Sequence, residues 1–294
     1  MSTTDPDIRL LTSADLDGAF GLSTGAGWNQ RLADWRMLLQ LAPASSFAAV
    51  ANRRVVGTAI GIDYGTFGWI AMMLVDPAWR GRGIGGRLLE EAIGAVPPEI
   101  PLRLDATPLG RSLYERYGFQ DEAELTRHIA EPSRLAVDPT CDLTARPVRG
   151  LTPVDLRSVI AEDDLVFGAH RRILLEWALL GAAHYAHVID TDAGVQYCFG
   201  RPGRLFDQIG PVVAADDETA RLLVGASLRE AAGRPVVVDA YDRHDEFTEW
   251  LQTRGFYASR PLFRMRRPAR HGRGTRSAPP SALSERAILG PEFG

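Results

Sequence analysis

A chain of 294 residues, 45% apolar and 24% charged, can bury a sizeable core and is longer than one ordinary domain requires. A net charge of −4 at pH 7 excludes the basic footprint of a nucleic-acid binder, and no apolar run approaches the ~20 residues that cross a bilayer as a helix. Met1-Ser-Thr-Thr-Asp-Pro-Asp has neither a basic nor an apolar region, and Cys141 and Cys198 stand far apart, so a cytoplasmic protein with two buried thiols and no disulfide framework is expected. Every one of the 33 basic residues counted as Lys+Arg is an arginine, which excludes lysine Schiff-base and lysine general-base chemistry.

In chain order, a strand over 8–11 leads to a helix entered at Thr12 or Ser13, where a hydroxyl can cap it. A glycine-broken stretch from Gly18 to Gly27 follows, then a helix over 29–41 with Leu32, Trp35, Leu38 and Leu39 on its apolar face and Pro43 beyond its end. Strands are expected over 46–51, 55–64 and 67–75. A glycine-rich turn, Arg80-Gly81-Arg82-Gly83-Ile84-Gly85-Gly86, then opens a helix that Pro97-Pro98 ends. A strand over 102–106, a helix over 110–117 and strands over 119–129 complete a mixed α/β sheet with helices on both faces.

The second half repeats this order. A strand is expected over 143–148, a helix that Thr152 caps to about 166, and an amphipathic helix over 169–180. Strands over 184–189, 195–200 and 206–213 precede a helix opened by Asp216-Asp217-Glu218, whose acidic side chains suit a helix N-terminus. Pro235-Val-Val-Val-Asp239-Ala240 then mirrors Pro101-Leu-Arg-Leu-Asp105-Ala106, and both copies proceed to a helix ending in Gly-Phe, at Gly118-Phe119 and Gly255-Phe256. Pro132 and Pro139 mark a linker over 131–141. Beyond 267 the chain turns basic and Gly/Pro-rich, reads as linker, and ends in the apolar stub Ala287-Ile288-Leu289-Gly290-Pro291-Glu292-Phe293-Gly294, which is either disordered or docked on the body.

The order strand, glycine turn, helix aims several unpaired N–H groups at one point and makes a nest for a phosphate or pyrophosphate. No Lys-Ser/Thr pair follows, and the third glycine of a dinucleotide fingerprint is misplaced, so both of those nucleotide sites are excluded. The turn resembles the acyl-CoA loop [Q/R]-x-x-G-x-[G/A] of the GNAT N-acetyltransferases, with Arg80, Gly83 and Gly85 in the specified places. Leu113-Tyr114-Glu115-Arg116-Tyr117-Gly118-Phe119 is similar to that family's late Leu-Tyr-x-x-x-Gly-Phe helix. The resemblance implies two GNAT-like domains in tandem: a catalytic, acetyl-CoA-binding domain over 1–131, a degenerate structural or pocket-forming copy over 141–267, and a linker and stub over 268–294. In the second copy Ala214-Ala215-Asp216-Asp217-Glu218-Thr219 stands in place of the glycine turn, and Leu251 in place of Tyr114. Three carboxylates would repel a pyrophosphate by on the order of a kcal/mol per close like charge.

The resemblance also implies the roles. The backbone of Met73, Leu74 and Val75 would pair with the pantetheine arm and polarise the thioester. Arg80, Gly81, Arg82, Gly83, Ile84, Gly85 and Gly86 would hold the pyrophosphate, and Tyr114 would protonate the leaving thiolate, while Tyr117 packs. The strand over 70–75 lacks the glutamate that many relatives use as a base, leaving a water relay or a carboxylate from Asp63, Asp105 or the end of the chain at Gly294. Trp28, Asn29 and Tyr64, with Asp105, are the expected acceptor-site residues. His170, His184 and His187 have no metal-ligand spacing, and no metal is expected. The implied activity is acetyl transfer to a primary amine of a small molecule or amino acid derivative. A protein N-acetyltransferase, or a CoA-binding sensor without turnover, is the alternative.

Overall fold

The computed structural model describes residues 5–136, 147–192, 194–231, 233–270 and 281–294. The first half contains β1 (Asp7–Leu10), α1 (Leu16–Gly25), α2 (Leu32–Leu41), β2 (Ser46–Ala51), β3 (Arg54–Asp63), β4 (Gly68–Val75), α3 (Ile84–Gly94), β5 (Leu102–Ala106), α4 (Pro108–Arg116) and β6 (Gln120–Ala130). The second contains β7 (Arg149–Gly150), α5 (Leu156–Phe167), α6 (Arg172–Ala182), β8 (His187–Thr191), β9 (Gly194–Arg201), β10 (Asp207–Ala214), α7 (Asp217–Arg229), β11 (Val236–Tyr241), α8 (Asp245–Thr253), β12 (Tyr257–Arg267) and β13 (Ser284–Ala287). Cys141, the linker positions 137–141 and most of the strand expected over 143–148 lie outside the described residues. Cys198 is buried, which pushes its thiol up to about 12.

Local chemistry explains where the expected boundaries move. Thr12 does not begin α1. Its N–H and hydroxyl both donate to Asp15 at 2.8 Å, so a short 3-10 turn precedes the helix, and Arg9 grips Asp15 from the other side. Thr152 and Asp155 repeat this device before α5, with Arg149 in the place of Arg9. The stretch expected to be broken by glycines is helical through Gly25. A Cβ at Gly18 would lie 3.0 Å from Val55 Cγ2, so the glycine permits close packing on β3 that offsets its poor helix propensity, about 1 kcal/mol.

Among the described residues the thirteen strands form one continuous sheet in the order β1-β2-β3-β4-β5-β12-β6-β11-β13-β10-β9-β8-β7. The two halves do not form separate sheets. β12, from the second half, lies between β5 and β6 of the first, while β6 lies between β12 and β11 of the second. The last expected strands of the first half are therefore one strand, β6, completed by a strand from more than a hundred residues later (Arg264 to Asp105, 159 positions).

Charge pairs sit on this exchange. Arg264 of β12 stands opposite Asp105 of β5 and donates to both its oxygens at 2.8 and 2.9 Å. Arg127 of β6 stands opposite Asp239 of β11 and does the same at 2.7 Å twice. Asp105 and Asp239 are the paired positions of the repeated Asp-Ala motif. Arg127 and Arg264 each follow the phenylalanine of their Gly-Phe by the same eight positions. Each half thus supplies the arginine that neutralises the other half's aspartate.

The two halves also share one apolar core, in which Trp35, Leu38 and Trp69 pack with Leu174, Leu175 and Phe199. The stub is docked rather than disordered: Leu289 and Phe293 belong to that core, and Ser284–Ala287 forms β13. In the first half β4 and β5 pair in parallel only at Gly68–Leu102 and Trp69–Arg103, then diverge. β10 and β11 likewise pair only at Asp207–Val236 and Gln208–Val237, but there β13 enters the gap and bonds to both.

Because of the exchange, residues 5–136 produced alone should lack cooperative unfolding and aggregate, since β5 and β6 lose the strand between them. Co-production with residues 147–294 should restore a soluble one-to-one complex. Gel filtration and thermal circular dichroism check this; a monomeric, cooperatively melting first half would contradict it.

Candidate active site

The glycine turn is built as its sequence suggests. Asp76 accepts from the Ala78 N–H at 2.9 Å and fixes a single 3-10 turn over Pro77–Trp79. Gly81 and Gly83 both have φ +76°, a region that side chains with a Cβ rarely adopt, and Gly83 is the N-cap of α3. The first N–H groups of α3 are therefore free to face an anion, and its first turn holds no acidic residue.

A cavity of about 920 Å³ begins at this turn and runs along the divergence of β4 and β5. Met73, Leu74, Val75, Arg80, Gly81, Gly83, Ile84, Gly85 and Gly86 line it. Arg82 does not: its guanidinium lies 4.8 Å over the Trp79 ring, outside the lining residues. Tyr117 packs, with its hydroxyl donating to Glu90 at 2.8 Å and filling the space beside Gly86. β4 carries a bulge at Met72, where φ is +52° and Thr58 Oγ1 donates to the Met72 carbonyl at 2.7 Å. A bulge releases backbone groups from the ladder, here beside Met73 on the cavity wall.

Tyr114 stands across the cavity on α4, its ring packed edge-on to Phe119 at 6.0 Å. Gly110 makes room, since a Cβ there would lie 3.2 Å from Tyr114 Cε2. Burial pushes the phenol above its usual range, so it stays protonated.

The far end of the cavity is where expectation and structure part. Trp28 lines it. Asn29 does too, but its amide is spent clamping the halves together, accepting from Leu205 N and Phe206 N and donating to Phe206 O. Tyr64 is absent from the lining; it donates to Phe293 O at 2.8 Å and packs edge-on against Phe167. Asp63 is exposed and caps Gly65 N. Asp105 lines the cavity, yet both oxygens are held by Arg264. The Gly294 carbonyl takes a hydrogen bond from Arg171 at 2.9 Å beside Phe167 and Trp69, away from the cavity. The stub instead contributes Pro291 and Glu292 to the wall, with Gln30, Arg127, Arg260 and Leu262. Of these six, only Gln30, in the run Trp28-Asn29-Gln30, falls where the sequence places the acceptor pocket. The eight-position repeat could have flagged Arg127; the exchange that brings in Arg260 has no local signature.

Two family profiles, each described as an acetyltransferase (GNAT) domain, match residues 43–121 and 159–277. The chain belongs to the GNAT N-acetyltransferases, with two GNAT domains in tandem. Over 268 residues it is 25% identical to the uncharacterized N-acetyltransferase YitH of Bacillus subtilis, covering 87% of this chain and 89% of that one. It is 24% identical over 243 residues to the holothin acyltransferase of a Pseudoalteromonas species, covering 82% and 80%. Among solved structures, a putative acetyltransferase from Pyrococcus horikoshii shares the fold with a TM-score of 0.76 at 19% identity, covering 100% of this chain and 98% of that one. A tandem GNAT protein from the clavulanic acid biosynthesis pathway shares it with a TM-score of 0.57 at 14% identity, covering 90% and 99%.

In the second GNAT domain the gap between the two parallel strands is filled by β13, and the loop is changed as well. Asp216 caps α7 through Thr219 N at 2.7 Å, and Asp217 accepts from Arg286 at 2.8 Å. Arg286, on β13, also donates to the carbonyls of Ala214 and Ala215 at the end of β10. Leu251 is buried where the first domain has its tyrosine. The expected repulsion by bare carboxylates is thus superseded, since Asp217 is neutralised and the gap is occupied by the chain itself.

His187 meets Ser227 at 3.2 Å, His184 lies against Tyr185, and His170 pairs with Asp164 on the surface. Among the described residues no group of three or more His, Cys, Asp or Glu is placed to hold a metal ion, and no helix is long and apolar enough to cross a membrane.

Replacing Asp239 by Ala strands the buried Arg127 guanidinium, which should cost about 3–5 kcal/mol. Urea denaturation of the variant checks this, and an unchanged midpoint would show that the pair carries no stability.

Proposed function

We propose that the chain transfers an acetyl group from acetyl-CoA to a primary amine of a small molecule by direct attack within a ternary complex. One observation carries this reading: a single cavity runs from the anion-binding turn, past the bulge of β4 and Tyr114, to a polar end walled by both domains. A pyrophosphate fits the Gly81–Gly86 N–H groups, with Arg80 on the lining for charge pairing. The pantetheine arm fits the gap between β4 and β5 as an added strand would, just as β13 fills the gap between β10 and β11. That internal analogy supports the assignment of Met73, Leu74 and Val75 to the arm.

Acyl transfer then needs a polarised carbonyl and a proton for the departing sulfur. A backbone N–H at the bulge would supply the first, an effect worth about 3–4 kcal/mol where such a donor is removed from an oxyanion hole. Tyr114, held protonated by burial, would supply the second. Pro291, Glu292, Arg260 and Leu262 close the acceptor end, which favours a small amine over an extended polypeptide.

Tyr114→Phe should lower kcat by about 10²–10⁴-fold. Its affinity for CoA should stay within a few-fold, measured by thiol release and calorimetry; unchanged turnover would remove Tyr114 from the mechanism. Gly83→Val forces a β-branched residue to φ +76° and should abolish CoA binding by calorimetry. Since the phenol titrates above its usual value of about 10, it should produce no alkaline fall in activity below that pH.

A further inference from the structure

At the closed end of the cavity the charges are not all satisfied from within the chain. Asp105 is held by Arg264 and Arg127 by Asp239, each through two hydrogen bonds. Arg260 stands opposite Arg127 in the β12–β6 ladder only because a bulge adds Ser259; without it, Ser259 would take that place after the Ala258–His128 pair. Like charges directly opposed across a sheet are destabilising, and bulges re-aim side chains beside active sites. Among the described residues Arg260 has no ion pair, and its Nε is buried without a hydrogen bond. Burial and Arg127 together hold its pKa below the ordinary value for arginine. Asp239 and Glu292 oppose that fall from a distance, without an ion pair.

Two residues that line the same cavity each bury an acceptor atom without a hydrogen-bond partner. Glu292 is 3% exposed; Arg201 Nη2 donates to its Oε1, while Oε2 is buried with no partner. Gln30, 7% exposed, has Oε1 in the same state. A cavity end with one guanidinium outside any ion pair and two acceptors without a hydrogen bond matches a ligand with one anionic group and one N–H-rich cation.

Given the acetyl-transfer reading above, on which this rests, we propose that the acceptor is an amine that also carries a carboxylate, with Arg260 holding the carboxylate and Glu292 and Gln30 the ammonium. Glu292 is then the general base. One ammonium proton passes to Glu292 Oε2, and the neutral nitrogen attacks the thioester carbon. The N–C bond forms and the C–S bond breaks. Tyr114 gives its proton to the sulfur and regains one from the amide nitrogen, and Glu292 releases its proton to solvent. A single free guanidinium, with Arg127 already neutralised, suits a monoanionic carboxylate rather than a dianionic phosphate.

The groups facing Glu292 are Arg201 of β9, Asp34 of α2, Arg127 of β6 and Arg260 of β12. Burial raises the Glu292 pKa, and Arg201 opposes that rise. Activity should therefore rise with pH as this carboxyl ionises, above the ordinary glutamate range.

The test uses the full chain, acetyl-CoA and matched amines with and without a carboxylate, such as L-phenylalanine with phenethylamine and L-glutamine with its decarboxylated amine. Within pairs that are turned over, the carboxylate member should have the higher kcat/KM. Arg260→Ala should raise its KM by about tenfold to a hundredfold, the loss expected for a charge-assisted hydrogen bond, and affect the other member far less. Arg260→Lys should recover part of that loss. Because Arg260 has no ion pair among the described residues and stands opposite Arg127, Arg260→Ala should melt at or above the parent temperature; a clear fall would make Arg260 a structural residue and overturn its role. Glu292→Gln should lower kcat and flatten the acid limb of the pH profile; an intact limb overturns the base. Equal kcat/KM within every pair overturns the acceptor class. If CoA binds but no amine is acetylated, the acetyl-transfer reading fails on its own, and thermal shifts of the CoA-loaded protein with the same pairs still decide the anchor: a carboxylate-dependent shift lost in Arg260→Ala supports it, and its absence overturns it.

Discussion

Two Arg–Asp rungs hold this molecule together, and the rest of its architecture follows from their reciprocity. Arg264 of the second half neutralises Asp105 of the first, and Arg127 of the first neutralises Asp239 of the second. All four side chains are withdrawn from water, so each ion is tolerable only with its partner in place. With β6 and β12 exchanged in the strand order, each arginine stands opposite the other half's aspartate. With the trade made, thirteen strands become one surface, and the cavity between the glycine turn and Arg260 acquires walls from both halves.

Within this pseudo-symmetric frame the two copies differ at one place, the wedge where two parallel strands separate. In the first copy the wedge opens on the glycine turn and Tyr114. In the second it holds β13, whose backbone bonds to both flanking strands and whose Arg286 caps the end of β10. A GNAT wedge left empty would expose unpaired backbone groups along two strands. The second domain satisfies them with its own chain, and the same segment then carries Glu292 to the wall of the first domain's cavity.

Much of this was legible in the sequence, for identifiable reasons. The glycine turn and its helix depend on neighbours a few positions apart, and so do the Leu-Tyr-x-x-x-Gly-Phe helix and the alternation of elements. The duplication was visible because Asp105-Ala106 and Asp239-Ala240 kept their surroundings. What stayed hidden depends on contacts across long separations. Residues 281–294 show no periodicity that announces a strand, because β13 is specified by the wedge that receives it rather than by its own pattern. Tyr64 was expected near the acceptor because it ends a strand on that side, and Asp63 was a candidate base. Tyr64 instead turns to Phe293, whose position no local reading supplies. The α1 glycines misled for the opposite reason: they signal a break by propensity, and tertiary packing at Val55 overrides it.

The interleaving sets an order of assembly. Asp105 meets its arginine 159 positions later, and Tyr64 bonds a carbonyl 229 positions later. A ribosome therefore releases the glycine turn and Tyr114 long before β12 and 281–294 emerge to complete the sheet around them. Until then β5 and β6 present open edges, the kind of surface that pairs with a neighbouring chain. High separation between contacting residues also slows closure, since the loop entropy is lost before the rungs can form. The cavity of this protein is thus fully walled only after Pro291 and Glu292 have packed against a first half made long before them.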